Sequence, residues 1–352
     1  MLATFNEGYG VTFAYNAVIG AYYDGDGAFI SGIYSSGETQ IGCHMSNGRR
    51  MLDIPEGAKY MRLCINDADD PQIAVLEISY NGSDYSKIME HAGRYFDVTP
   101  DLEGTVIVNF GDSIFGNTEN ITSISNYISV KTGALVYNCG FESGRMARYG
   151  DAWDPIAMCT IAECIANRDF TTMENAVVAG WSGMPGYVPK TMDLLANQIN
   201  FDWVDVITIS YGTNDYIEPG ARLDNPEDPF DITTVCGALR YSIRAIQTKH
   251  PSIQILVTTP VYRMFLDKET QEVIATSDEK NWGSGTLTEY SLAIRQACED
   301  MNVPCLDLQN VSQFNANTKD YYFDSHDSVH PNETGRRQMA GLIANTIMDM
   351  VY

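Results

Sequence analysis

Residues suited to nucleophilic catalysis occur at several points where an apolar run of the chain ends. Ser113 closes the segment VNFGDS, directly after such a run. A serine hydroxyl is a weak nucleophile until a base removes its proton. His330 in DSVHP can act as that base, and Asp327, three residues earlier, can orient the imidazole ring. These residue types predict acyl transfer through a covalent intermediate on the serine.

Acyl transfer also needs hydrogen-bond donors for the negatively charged oxygen of its tetrahedral intermediate. The backbone N–H groups of Ser113 and of Gly140, in NCG, are candidates, and the side-chain amide of Asn214, in GTND, is a third. Losing one such donor typically costs about 3 kcal/mol of transition-state stabilisation. We therefore expect these three donors to lie close together.

The elements that must position these residues alternate between apolar strands and helices from about residue 103 onward. Continuous apolar runs indicate strands buried on both faces. The strands are predicted at 105–110, 134–138, 204–210, 253–259 and 303–308. Helices are predicted at 119–133, 153–167, 171–180, 189–199, 231–250, 286–302 and 333–350. This alternation predicts an α/β fold with a five-stranded parallel sheet, whose carboxyl edge carries the polar residues.

The first part of the chain has a different pattern. Short apolar or alternating runs such as AFISGIY and IAVLEISY are separated by turn clusters such as DGDG and NDADDP. Short strands with this spacing are typical of an antiparallel β-sandwich or jelly roll. A chain of 352 residues also has room for roughly two domains at ~150 residues each. We predict a β-sandwich domain over 1–98 and an α/β domain over 103–352, with a linker within 97–105.

Composition excludes several classes of protein. Lys plus Arg number 22 and Asp plus Glu number 46, so the net charge of −24 disfavours binding to nucleic-acid phosphates. No apolar run approaches 18 residues, which argues against a membrane span. No signal peptide is visible, so either the chain is not secreted by that route or it is a piece of something longer. The acidic balance fits extracellular, cell-surface and virion-associated proteins. The eight cysteines show no regular spacing and are expected to be mostly buried thiols, with one bridge left open.

Motifs for metal or cofactor chemistry are missing from the sequence. It contains no H-E-x-x-H, no Walker loop and no G-x-G-x-x-G, so we expect neither a metal nor a cofactor. Asp67, Asp69 and Asp70 fail the spacing of a calcium-binding EF-hand loop and are read as a solvated turn.

The candidate residues, taken together, resemble the motifs of the SGNH or GDSL family of hydrolases. The family's first block is matched by GDS at Ser113, and its second by the glycine in NCG, Gly140. Gly144, in ESG, competes with Gly140 for the match to this second block and its oxyanion glycine. Its third block is matched by GTND at Asn214, and its last by DSVHP at Asp327 and His330. The blocks follow in the family's order and at strand ends, which makes the match much more specific than a GDS triplet alone.

The resemblance covers residues 105–350 and departs from the family where Ile114, rather than leucine, follows the GDS. It implies a serine hydrolase with a flavodoxin-like, three-layer α/β/α domain and neither metal nor cofactor. The family's substrates are mostly carboxylic esters, including O-acetyl groups on sugars, short acyl esters, lipids and thioesters.

The segments NAVIGAYYDGDGAFISGIYSSG and IPEGAKYMRLCINDAD are similar to β-sandwich modules of phage tail proteins and of gut-bacterial surface proteins. Such modules often accompany glycan-directed enzymes. Our first hypothesis is therefore a serine esterase that removes short acyl groups, most often acetyl, from carbohydrate. The alternatives are a lipase or thioesterase of the same fold, and a glycan-binding phage tail or surface component with little activity. The expected partner is an acylated carbohydrate or small ester, and a homo-oligomer or larger assembly stays open.

Some residue roles also stay open at this level. His326 is a second candidate base, and Asp324 a second candidate for the acid. Arg263, in TTPVYRM after the fourth strand, can contact a polar substrate or form a surface salt bridge. The aromatic and glycine-rich loop 181–189 can wall an acyl pocket or be structural.

Overall fold

The chain divides into two units, Met1–Asp97 and Val98–Tyr352. The computed structural model describes residues 2–5, 17–24, 28–36, 39–41, 43–46, 49–52, 55–58, 60–63, 77–79, 102–217 and 221–351. The predicted solvated turn at Asp67, Asp69 and Asp70 lies outside these residues. The functional assignment of the two predicted domains stays a prediction.

The described part of the first unit consists of antiparallel strands. They are β1 (Leu2–Phe5), β2 (Ala17–Tyr23), β3 (Phe29–Ser36), β4 (Thr39–Ile41), β5 (Cys43–Ser46), β6 (Arg49–Leu52), β7 (Tyr60–Leu63) and β8 (Glu77–Ser79). They form two four-stranded sheets, with the orders β5-β6-β1-β8 and β4-β3-β2-β7. The predicted sandwich or jelly roll concerns how such sheets pack together, and it stays a prediction.

The second unit is built on a five-stranded parallel sheet, so this prediction is confirmed. Its strands are β9 (Val106–Gly111), β10 (Leu135–Gly140), β11 (Val206–Ser210), β12 (Gln254–Thr258) and, numbered after a separate hairpin, β15 (Cys305–Leu306). The order is β10-β9-β11-β12-β15, and every pair is parallel. Apolar residues are buried along β9 and β11, as expected for strands covered on both faces.

Helices cover both faces of this sheet. They are α1 (Ser113–Gly116), α2 (Ile124–Thr132), α3 (Met158–Asn167), α4 (Thr171–Ala179), α5 (Val188–Asp193), α6 (Thr213–Tyr216), α7 (Val235–Lys249), α8 (Leu287–Asp300), α9 (Leu308–Val311), α10 (Lys319–Tyr322) and α11 (Glu333–Val351). One core cluster joins the sheet to α3, α7 and α8, and the other joins it to α2 and α11. No helix in the described part of the chain is long and apolar enough to cross a membrane.

Several helix boundaries follow from local capping. The Ser123 side chain accepts a hydrogen bond from Asn126 N–H and starts α2, and Gly133 ends it with a φ of 75°. Thr286 and Glu289 form a complete capping box at the start of α8. These residues explain why the predicted helices 119–133 and 286–302 occur, within a few residues of their expected limits.

The structure differs from the prediction at two places after β12. The last strand is only Cys305–Leu306, shorter than the predicted 303–308, because Pro304 lacks an N–H for the sheet and α9 begins at Leu308. An antiparallel hairpin, β13 (Met264–Leu266) and β14 (Val273–Thr276), was not predicted. Its strands are three and four residues long, too short for a clear alternating pattern.

Six cysteines of the second unit are thiols. Cys139, Cys159, Cys164, Cys236 and Cys298 are buried and Cys305 is partly buried, and none of these six forms a disulfide. The expectation of mostly buried thiols is confirmed for these six residues.

The sheet order determines where a ligand can reach the sheet. With β9 between β10 and β11, the connections leave β9 in opposite directions, as in flavodoxin-like sheets. A crevice forms at the carboxyl ends of the strands at this switch point. The segments that follow β9 and β11 begin at Asp112 and Tyr211, so the predicted site residues of both segments lie at this crevice.

Helix α1 packs against β10 through two glycines. A Cβ atom on Gly140 would lie 2.5 Å from the Gly116 nitrogen, and one on Gly116 would lie 2.6 Å from the Gly140 carbonyl oxygen. Both neighbours are backbone atoms, which cannot move without shifting α1 or β10. The close approach therefore fixes α1, the helix that carries Ser113.

Gly140→Ala tests this contact. We expect a loss of about 1–3 kcal/mol of unfolding free energy from overpacking. That loss corresponds to a fall in melting temperature of about 2–10 °C. Gly186→Ala is the control, since a Cβ atom there meets nothing within 4 Å. Differential scanning calorimetry of both variants makes the comparison, and equal melting temperatures for the two would contradict the packing argument.

Candidate active site

Ser113 lies on a strand–turn–helix junction at the end of β9. It is the first residue of α1, and its residue exposure is only 8%. Asp112 is the N-cap of this helix, and its Oδ1 accepts a hydrogen bond from Ile114 N–H at 3.0 Å. The N–H of Ser113 belongs to the first turn, where helical N–H groups have no intrahelical acceptor. The turn thus presents a hydroxyl and a backbone donor together.

The Ser113 hydroxyl is hydrogen-bonded to His330, 217 residues further along the chain. Ser113 Oγ lies 2.9 Å from His330 Nε2, and His330 Nδ1 lies 2.9 Å from Asp327 Oδ2. Because a carboxylate can only accept, Nδ1 carries the proton and donates it to Asp327. Nε2 is then free to accept a hydrogen bond from the Ser113 hydroxyl. This is the arrangement of a serine nucleophile with its base and an orienting acid.

Both oxygens of Asp327 are occupied by the segment that carries His330. Oδ2 binds the imidazole, and Oδ1 accepts from the N–H groups of Val329 at 2.8 Å and His330 at 2.9 Å. Burial opposes ionisation of this carboxyl. The hydrogen bonds from the His330 side chain and backbone outweigh the burial, and the pKa of Asp327 falls to about 2. Asp327 is therefore a carboxylate at neutral pH.

The pKa of His330 is raised above its usual value, chiefly by the hydrogen bond to Asp327, with burial acting in the opposite direction. The charges of Asp327 and Asp112 raise this pKa further, and that of Arg263 lowers it. A histidine stabilised as a cation in this way is well suited to hold a proton during a reaction.

The alternative acid and base lie elsewhere. His326 is exposed and adopts a left-handed conformation with a φ of 69°, which is a turn geometry. Asp324 is exposed, and its backbone carbonyl accepts from Asp327 N–H at 3.2 Å. Among the described residues, neither side chain forms a hydrogen bond with Ser113 or His330. The structure therefore brings His330 and Asp327, rather than these two, to Ser113.

The side-chain amide of Asn214 and the N–H groups of both candidate glycines already donate hydrogen bonds within the protein. Asn214, in α6, donates its Nδ2 to the Gly144 carbonyl at 2.9 Å. The N–H of Gly140 donates to Asn138 Oδ1 at 3.2 Å, and Gly144 N–H donates to Phe141 O at 2.9 Å. Gly144, the competitor that the sequence left open, is thus the glycine in contact with Asn214. The N–H of Gly140, the predicted oxyanion donor, is hydrogen-bonded to the side chain of Asn138.

Asp215 holds the loop that contains Gly144, a role that the sequence did not reveal. Its fully buried carboxylate accepts from Met146 N–H at 2.9 Å and from Ala147 N–H at 2.9 Å. Burial raises the pKa of Asp215 to about 6, against the lowering effect of these two hydrogen bonds. Its position next to Asn214 in GTND, shortly after the buried strand β11, was the available signal. Asp215 thereby positions the partner of Asn214.

Asp112 is a second buried acid beside the Ser113–His330 pair. It is 2% exposed, and burial raises its pKa to about 7. The hydrogen bond from Ile114 and the charge of His330 act in the opposite direction. Asp112 therefore caps α1 and is also a titratable group that interacts with His330 through its charge.

Arg263 follows β12 and begins the unpredicted hairpin. Its Nε and Nη1 atoms are buried and have no hydrogen-bond partner, and its guanidinium lies 5.0 Å from the ring centre of Phe265. Burial lowers its pKa. Within the described residues no carboxylate forms an ion pair with it, so the structure does not contain the alternative salt bridge. A buried donor without an acceptor ordinarily costs about 1–3 kcal/mol, and more when charged.

The loop 181–189 is attached to α1 and to the loop after β10. Tyr187 OH donates to Asn117 Oδ1 at 3.1 Å and accepts from Glu142 N–H at 2.6 Å. Trp181 packs edge-on against Trp153, with ring centres 5.5 Å apart. These contacts fix the loop, while a role as an acyl-pocket wall stays a prediction. No cluster of three or more potential metal ligands occurs among the described residues.

A sequence profile described as the GDSL-like lipase/acylhydrolase family matches residues 146–338. This span contains Asn214, Asp327 and His330 and begins beyond Ser113. No curated protein matches the chain.

Solved structures also resemble this chain. One crystal structure is 22% identical, with a TM-score of 0.51, and the match covers 71% of this chain and 99% of the other. This likeness shows the fold. A Lactobacillus plantarum protein is 20% identical, with a TM-score of 0.49 and coverage of 71% and 99%. A protein described as a possible lipase from Chitinophaga pinensis is 18% identical, with a TM-score of 0.45 and coverage of 70% and 98%.

The pKa of His330 should depend on Asp327. In the unchanged protein we expect a value above 6.5, and Asp327→Asn should lower it because the largest cause of the rise is removed. An NMR pH titration of the imidazole signals measures both values. Asp324→Asn serves as the control, since it removes an exposed carboxylate that does not contact the ring. An unaltered His330 pKa in Asp327→Asn would rule out this hydrogen bond as the cause.

Proposed function

The chain belongs to the GDSL-like lipase/acylhydrolase family, and we propose that it is a serine esterase that removes short acyl groups, above all acetyl, from carbohydrate. The observation that carries this proposal is the hydrogen-bonded series Ser113–His330–Asp327, with 2.9 Å at each step. Ser113 is the proposed nucleophile, His330 the general base and acid, and Asp327 the residue that orients His330.

Acylation follows from the direction of these hydrogen bonds. Nε2 of His330 takes the Ser113 hydroxyl proton as Oγ attacks the ester carbonyl carbon. The carbonyl π electrons move to the oxygen, which becomes the oxyanion, while His330 becomes a cation beside the Asp327 carboxylate. When the intermediate collapses, the bond to the alcohol oxygen breaks and Nε2 gives its proton to that oxygen. The alcohol leaves, and the acyl group stays on Ser113.

Deacylation repeats the sequence with water. His330 takes a proton from the water as its oxygen attacks the acyl carbon, and then returns the proton to Ser113 Oγ as the acid leaves. Both steps begin with neutral His330. Since the pKa of His330 is raised, the rate should increase with pH and level off above that pKa.

We assign the oxyanion to the Ser113 N–H and the Asn214 amide, with a glycine N–H as the third donor. Gly140 remains the proposed glycine, and Gly144 is the alternative because its carbonyl already holds Asn214. In either case an existing hydrogen bond of the glycine N–H, to Asn138 or to Phe141, must give way when the oxyanion forms. Small movements of this kind on forming the complex are common in active sites.

The preference for a short acyl group on carbohydrate rests on the sequence. Lipases usually have a long apolar lid, and the sequence offers only the short loop 181–189 for that role. Tyr187 ties this loop to its surroundings by two hydrogen bonds. The carbohydrate is inferred from the N-terminal unit, which we propose to be a carbohydrate-binding or accessory module.

Reaction of Ser113 with a fluorophosphonate probe tests the nucleophile without a known substrate. We expect covalent labelling of the unchanged protein at Ser113 and none in Ser113→Ala. His330→Ala should slow labelling by about 10³-fold or more, because no base activates the hydroxyl.

Ser325→Ala and His326→Ala are the matched controls, since both residues are exposed and belong to the loop that precedes His330. Intact-mass spectrometry and peptide mapping follow the label. Labelling that persists in Ser113→Ala, or that falls equally in the His326 control, would refute the assignment.

The acyl preference is measured with p-nitrophenyl esters from C2 to C12. We expect kcat/KM to be highest at C2–C4 and to be abolished by Ser113→Ala. A maximum at C8 or longer would instead favour a lipase, and equal turnover in the mutant would mean that Ser113 is not the nucleophile.

A further inference from the structure

Arg263 is a cation at the edge of the Ser113–His330–Asp327 site. It follows the carboxyl end of β12 (Gln254–Thr258), at the edge of the parallel sheet that also carries Ser113. Its charge acts on Asp112, Asp327 and His330. The proposed acyl-transfer mechanism gives it no role. Its surroundings are therefore informative about what else binds at this site.

The side chain is held in place but its donors are unused. Nε and Nη1 are buried without an acceptor. Within the described part of the chain, Nη2 has no hydrogen-bond partner either, and it is not among the fully buried polar atoms, so it keeps contact with solvent. The guanidinium is thus enclosed on one side and open on the other.

Other arginines of this unit with little exposure donate hydrogen bonds to acceptors of the protein. Arg240 forms hydrogen bonds with Asp224 and Asp300, and Arg145 pairs with Asp151. Arg336 donates to two backbone carbonyls and the Thr122 hydroxyl. Each of these arginines has several acceptors from the protein. Arg263 differs from them in having none among the described residues.

The backbone at Arg263 is fixed by its own hairpin. Arg263 N–H donates to Ser277 Oγ at 2.6 Å, and Ser277 N–H donates to Arg263 O at 2.9 Å. Ser277 is fully buried. The ring of Phe265 lies beside the guanidinium and itself packs against Tyr216 and Trp282. A side chain held in this way loses little freedom on binding a ligand, which favours a binding role.

The nearby carboxylates do not satisfy Arg263. Asp112 caps α1, and Asp327 binds His330, so both already have partners. Nη2 is the donor that a ligand can reach from solvent, and a carboxylate oxygen is a strong acceptor for a guanidinium N–H. The chain carries a net charge of −24, so an acidic substrate would be repelled at long range and would need a local cation.

We propose that Arg263 binds a carboxylate on the alcohol part of the ester, so that the substrate is an acylated acidic sugar, such as a uronic acid. This inference rests on the esterase function proposed above. The alcohol carries the carboxylate because the acyl group is short. Arg263 then determines which acylated sugars are processed, while Ser113 and His330 perform the chemistry.

The test compares two probes that differ only in this charge, an O-acetylated methyl glucuronoside and its C6 methyl ester. Release of acetate gives kcat/KM for each. We expect the unchanged protein to favour the acid by at least 10-fold. In Arg263→Gln, kcat/KM for the acid should fall at least 30-fold more than that for the methyl ester. Arg263→Lys keeps a positive charge but loses the planar guanidinium, so its additional fall for the acid should be smaller than that of Arg263→Gln.

Arg244→Gln is the matched control. It removes one positive charge from an exposed arginine on α7 that stacks on Phe230. Its ratio of acid to methyl ester should equal that of the unchanged protein. Circular dichroism melting curves verify that each variant is folded, and Arg263→Lys carries the test if Arg263→Gln does not fold.

Two results would overturn the inference. One is an unchanged protein that does not favour the acid, and the other is a fall in Arg263→Gln of the same size for both probes, which would mean a structural role. Hydrolysis of p-nitrophenyl acetate separates these outcomes from failure of the proposed function. If that ester is hydrolysed in a Ser113-dependent manner, the esterase stands whatever the sugars show, and if it is not, the function itself is wrong.

Discussion

The hydrogen bond between Ser113 Oγ and His330 Nε2 joins residues that are 217 positions apart, and the second unit is arranged so that they meet. Ser113 depends on the end of β9 and on the close contact between α1 and β10. His330 depends on the segment before α11, which Asp327 holds through two backbone N–H groups and the imidazole. A displacement of about 1 Å in either part would break the 2.9 Å contact. The two helical layers, with one core cluster on each side of the sheet, restrain both parts.

Three acids contribute to this site in different ways. Asp327 receives enough hydrogen bonds to stay ionised, whereas burial raises the pKa of Asp112 to about 7 and that of Asp215 to about 6. Each of the latter two still accepts backbone hydrogen bonds, Asp112 from α1 and Asp215 from the loop after Gly144. Asp112 and Asp215 therefore fix the backbone segments that carry candidate oxyanion donors. The cost is that both carboxyl groups lose their contact with water. Such shifted groups concentrate where chemistry takes place.

Much of this arrangement could be predicted from the sequence. The strands β9 and β11 are continuous apolar runs, and a parallel sheet places the residues that follow them at one edge, so Ser113 and Asn214 were expected to converge. Asp327 and His330 were expected together because they are three residues apart. The hairpin β13–β14 was missed because its stability comes from pairing between short strands and from contacts such as Ser277 with Arg263, and neither leaves a periodic pattern. The sequence could not decide between Gly140 and Gly144 as the oxyanion glycine, since the choice depends on the path of a loop that Asp215 holds from another part of the chain.

Arg263 shows most clearly what the sequence does not contain. An arginine in an acidic protein has many potential carboxylate partners, so the sequence favours a surface salt bridge for Arg263. Only its three-dimensional surroundings show that no carboxylate of the described residues forms an ion pair with it. Asp112 and Asp327, whose charges act on Arg263, already accept hydrogen bonds that position the nucleophile and the base, and releasing either acid to Arg263 would weaken the site itself. The unsatisfied guanidinium is thus a consequence of the catalytic geometry as well as of the hairpin. A ligand that supplies an acceptor to Nη2 would offset part of the cost of burying this charge, and it would do so at the sheet edge that carries the proposed nucleophile.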